Sequence, residues 1–81
     1  MMLQVNCIIV QKLKDKIEGL KLDDITFHGK GLHALIMDVA FDGDDGEKAK
    51  GLLSGYLRSL PEMGSRMLSV KLTDDQGNII L

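Results

Sequence analysis

Residues 24–41, DITFHGKGLHALIMDVAF, decide the fold. Two apolar runs flank Gly29-Lys30-Gly31 and alternate with the two-residue period of a β-strand, so the stretch reads as a hairpin. The length of its loop decides which side chains share a face. A two-residue Lys-Gly loop would set Ile25 and Phe27 beside Ala34, Ile36 and Asp38. A three-residue Gly-Lys-Gly loop sets them beside His33, Leu35, Met37, Val39 and Phe41. The second register gathers the large apolar groups on one side, and Gly31 suits the left-handed last position of such a loop. The three-residue loop is therefore the expected one.

Downstream, Ala49, Leu52, Leu53, Tyr56, Leu57 and Leu60 recur at helical spacing before Pro61 stops the run. Asp44 followed by Glu47 resembles a capping box with Asp44 as the cap. Gly51 and Gly55 lie one turn apart beside this stripe, where they would let a neighbouring backbone approach closely. Upstream, Leu3, Val5, Cys7 and Ile9 alternate as a strand. Val10, Leu13, Ile17 and Leu20 then mark a short amphipathic helix over about residues 11–20, with Gly19 as its stop. Leu68, Val70 and Leu72 form a further half-exposed strand. Residues 74–78 are dense turn chemistry, and Ile79-Ile80-Leu81 can fold back as a short last strand.

The expected order is β-α-β-β-α-β-β. Right-handed crossovers lead this order to an α+β, ferredoxin-like split β-α-β sandwich with a short C-terminal edge strand. An antiparallel sheet would then carry two helices on one face.

With 81 residues the chain is one domain, 1–81, whose thin core makes self-association an obvious way to bury more apolar surface. Cys7 is the only cysteine, so no disulfide can form within the chain. A net charge of −2 with interspersed signs argues against binding to nucleic acid. No apolar run approaches the length of a membrane span, and no signal segment is visible. A cytoplasmic protein that needs no cofactor is the expectation.

The acidic stretch Asp42, Asp44, Asp45 and Glu47 on a glycine-containing loop offers the carboxylates that Ca²⁺ or Mg²⁺ requires. Its spacing fails the EF-hand pattern, because Glu47 stands where the invariant glycine belongs. Helix capping and dipole complementarity explain the same residues more simply. Asp23-Asp24 and Asp74-Asp75 are read as turn residues. His28 and His33 flank the expected loop; in the preferred register they point to opposite faces and cannot share an ion, whereas the two-residue loop would put both on one face. Cys7 sits in an apolar strand that His33 could approach. A Cys–His enzyme is the third reading, behind a small buried thiol.

Phosphate-binding loops, stacking aromatics and paired cysteines are all absent, which removes nucleotide, RNA and heavy-metal-carrier functions of this fold. On the sheet face away from the helices, Leu32, Ala34 and Ile36 form the expected interface patch. The leading reading is a non-catalytic interaction or assembly module that dimerises or docks a protein through that face. A cation-binding protein built on the acidic loop is the alternative.

Overall fold

A computed structural model describes residues 1–81. The elements are β1 (Met2–Asn6), α1 (Val10–Ile17), β2 (Lys21–Leu22), β3 (Ile25–His33), β4 (Ile36–Phe41), α2 (Gly46–Arg58) and β5 (Ser69–Thr73). The five strands form one sheet in the order β2-β3-β4-β1-β5, and every neighbouring pair is antiparallel.

Strand β1 lies inside this layer, between β4 and β5. Leu3 stands opposite Val39 on one side and Leu72 on the other, and Val5 stands opposite Met37 and Val70. These six aliphatic residues share one face and are buried. Val10, Leu13 and Ile17 of α1 and Ala49, Leu53 and Leu57 of α2 join them, with Phe27, in a single core cluster. One continuous core means both helices cover the same face of the sheet. Helix α1 stops where Gly19 takes a left-handed φ of 75°, as its sequence signals.

The hairpin differs from its sequence reading. Gly29 and Gly31 lie inside β3, where the pairing shifts from Gly29↔Val39 to Gly31↔Asp38 and leaves Lys30 as a bulge. The reversal comes later, at Ala34-Leu35 between the paired His33 and Ile36. Ala34 takes a φ of 57°, a conformation that costs an L-residue about 1–2 kcal/mol. Pairing on both sides holds it there: the Cys7 N–H of the β1 end donates to the Leu35 carbonyl at 3.0 Å.

Three further elements differ from their sequence reading. The fifth strand is β2, which hairpins onto Ile25-Thr26 through Asp23 at a φ of 58°. Residues 79–81 run along β5, bridging Thr73↔Ile79 and bonding the Leu72 main chain through Ile80 and Leu81, but form no regular strand, so the expected C-terminal strand is a flanking tail. The cap of α2 is Asp45, whose carboxylate accepts from the Lys48 N–H at 3.1 Å, and Asp44 lies outside the helix.

Gly51 and Gly55 face open space, with no atom within 4 Å of where a Cβ would stand. The close approach is at Gly46 instead, where a Cβ would stand 2.6 Å from the buried Leu72 side chain. Gly55→Ala should therefore stabilise the fold by about 1 kcal/mol through helix propensity. Gly46→Ala should destabilise it by about 1–3 kcal/mol through overpacking. Urea unfolding of the two variants checks the opposite signs.

Candidate functional site

Alternation along the strands fixes the face away from the helices. Rows across it read His33–Ile36–Asn6–Ser69 and Gly31–Asp38–Gln4–Lys71. This face is polar, with Ile36 the one aliphatic side chain in those two rows. The three residues expected to make an apolar patch are dispersed. Leu32 pairs with Met37 and so belongs to the margin of the helix-covered face, Ala34 sits in the turn, and Ile36 alone points outward. The bulge at Lys30 is the cause, because one extra residue reverses the side on which the rest of β3 falls.

The bulge also places both histidines on the outer face. His28 pairs with Ala40 and His33 with Ile36, four residues apart along β4, or about 13 Å. That separation is too large for one ion. His28 instead meets Asp42, with its Nε2 3.3 Å from the carboxylate.

The acidic loop lines a shallow hollow of about 290 Å³ with Asp24, Asp42, Asp44 and Asp45 at its rim. Its only cation is Lys48, whose Nζ lies 3.1 Å from Asp24 and 3.2 Å from Asp23. Hydrogen bonding from Lys48 holds the Asp24 carboxyl below the usual carboxylate range, and the two aspartates hold the ammonium above its usual value. Asp45 is engaged as the helix cap and Asp42 faces His28, while Glu47 lies in the first turn of α2. No group of three or more His, Cys, Asp or Glu side chains is arranged to hold a metal ion.

Cys7 is 2% exposed, and its thiol donates to the Met63 Sδ at 3.7 Å. Its sulfur belongs to the helix-covered core, whereas His33 points to the other face, so the sheet separates the two. Met63 is itself fully buried. It is carried in by the turn after α2, which Arg58 fastens by donating to the Gly64 and Arg66 carbonyls.

Exposed apolar side chains gather elsewhere, at the end of the sheet where β1 stops, β3 turns into β4 and β5 begins. Met67 is 90% exposed, Ile8 69% and Leu35 49%. With Cys7 and Leu68 they line an open cleft of about 420 Å³ whose polar rim includes Asn6 and Arg66. A second hollow beside it is lined by Ile8, Ile9 and Leu35. The sequence carries one signal for this site. Ile8-Ile9 and Met67-Leu68 are adjacent apolar pairs at strand boundaries, and neighbouring residues on a strand cannot both face inward.

No helix is long and apolar enough to cross a membrane. Compared with protein-family models, with curated proteins and with solved structures, the chain matches none.

Two measurements test this geometry. A thiol reagent should modify Cys7 only as fast as the protein opens, with a rate that climbs with denaturant; labelling of the native protein at a free-thiol rate would contradict its burial. Lys48→Met should raise the titration midpoint of the Asp24 carboxyl carbon towards the ordinary carboxylate range. Because folding depresses that midpoint, Asp24 contributes stability above its unfolded value near about 4, and the contribution disappears as pH falls through the folded value.

Proposed function

We propose that the chain is a non-catalytic interaction module of ferredoxin-like architecture that self-associates through the apolar end of its sheet. The architectural part rests on the four long strands. With the two-residue β2 set aside, their order is β3-β4-β1-β5. Helix α1 crosses from β1 to β3 and α2 from β4 to β5, each passing over one intervening strand.

The functional part rests on one observation: Ile8, Leu35 and Met67 converge on one cleft while remaining largely in water. Contiguous exposed apolar surface rimmed by polar groups marks an interface. A second copy is the occupant, since an isologous contact doubles the same patch across a two-fold axis and supplements a thin core. The outer sheet face lacks this character. Its rows carry Asn6, Gln4, Asp38 and Lys71.

Light scattering across a concentration series should show a dimer mass at high concentration. Leu35→Asp and Met67→Asp should each shift the protein to the monomer without lowering its unfolding midpoint by more than a few degrees. A monomer at millimolar concentration would remove the proposal.

A further inference from the structure

The edges of a sheet expose main-chain N–H and C=O groups that pair readily with another chain, and native proteins guard them. The β3 edge here is guarded repeatedly. Strand β2 covers its start, and Phe27 exchanges main-chain bonds with Gly19 and Leu20 at 3.0 and 2.7 Å. The Gly29 N–H donates to the Glu18 carboxylate at 2.7 Å, and the bulge then interrupts the strand at Lys30.

The β5 edge is guarded over half its length. Leu72 donates to the Leu81 carbonyl at 3.0 Å and accepts from Ile80 at 2.7 Å, and the Asp74 N–H donates to Asn78 at 2.9 Å. The main-chain groups of Leu72 therefore face away from β1, and by the two-residue period so do those of Val70. Val70 has no main-chain partner on that side, although the residue is only 8% exposed. Beside it runs a groove of about 340 Å³ between β5 and α2, lined by Ser54, Gly55, Arg58, Leu68 and Val70. Nothing lies within 4 Å of the Cβ position of Gly55, so the groove has room for a side chain.

We propose that this edge takes a short extended segment of a partner protein as an added strand at Val70, with an apolar side chain in the groove and acidic residues beside it. Strand addition supplies the main-chain bonds, and alternate side chains supply the selectivity. Charge complementarity favours acidic flanks: with an apolar side chain in the groove, the residues on either side of it fall on the outer face with Lys71, and Arg58 is the only charged residue lining the groove itself. A second copy of β5 does not fit, because extended β5–β5 pairing needs the Leu72 groups that residues 80 and 81 already occupy. The site borders the apolar cleft at Leu68 but uses the β5 edge and α2 rather than Ile8, Leu35 and Met67, so it stands independently of self-association there.

The probe is an acetylated, amidated Glu-Val-Glu-Val-Glu peptide titrated into ¹⁵N-labelled protein. The largest amide shift is expected at Val70, together with slowing of its hydrogen exchange by about tenfold at saturation. Gly55→Leu fills the groove on an open helix surface and should weaken binding by about tenfold or more while the protein stays folded. Leu35→Asp, which disrupts the self-association cleft away from the groove, should leave the peptide affinity unchanged. No Val70 shift at millimolar peptide, equal binding of a Lys-Val-Lys-Val-Lys peptide, full affinity in Gly55→Leu, or shifts centred on Ile8 and Leu35 would each overturn the proposal.

Discussion

The structure depends on the register of β1 against its two neighbours. Leu3 and Val5 each meet an aliphatic residue on both sides, which produces two apolar rows across β4, β1 and β5. A slip of one residue would turn Leu3 and Val5 to water and bring Gln4 and Asn6 under the helices. Burial of the inner rows therefore specifies the pairing more strongly than any turn does. Both helices follow from that choice, because α1 and α2 have only those rows on which to bury their stripes. The polar outer rows are the same alternation seen from the other side.

Once register is fixed centrally, the turns have to accommodate it. Gly29-Lys30-Gly31 contains the residues a hairpin loop favours, yet a reversal there would break the extension of β3 along β4. The chain instead absorbs Lys30 as a bulge and reverses at Ala34-Leu35, which contains neither Gly nor Asn. A cost of about 1–2 kcal/mol at Ala34 is small beside the burial of Met37 and Val39, each a side chain worth about 1.5–3 kcal/mol. Asp23 shows the same ordering of effects in the short β2–β3 hairpin, although an aspartate tolerates the left-handed region better than an alanine does.

This ordering explains what could be read from the sequence. The aliphatic alternation of residues 3–7 and 68–72 and the stripe at 49–60 were legible because each is a local periodicity tied to one buried face. The loop register was not, since its deciding term is cross-strand packing rather than turn composition. Gly51 and Gly55 looked like a close-packing pair, but their side of α2 faces solvent, and Gly46 makes the tight contact with Leu72. Met63 belongs to no periodic run, so nothing in its neighbourhood announces that it fills the core against Cys7. The loop register reaches furthest: a reversal at residues 29–31 would put Leu32, Ala34 and Ile36 on one face and the two histidines on opposite faces, whereas the bulge disperses the first three and sets both histidines on the outer face.

The candidate surfaces were hidden for a related reason. The apolar end is assembled from residues 8–9, 35 and 67–68, three boundary segments far apart in sequence, so it exists only once the strands are aligned. The open groove at Val70 is defined by an unmade bond, which no residue type encodes. Both lie where the alternating pattern stops, which has a physical basis. Inside the sheet each aliphatic side chain is consumed by the core and each main-chain group by a neighbouring strand, and only at ends and edges is either left over. In a sheet this small, with one edge closed by β2, Glu18 and the bulge, the surplus is confined to the end of β1 and the start of β5. The proposed capacity to bind other chains is thus set by the same register that builds the core, and it concentrates around β5, the strand with one side in the sheet and the other half open.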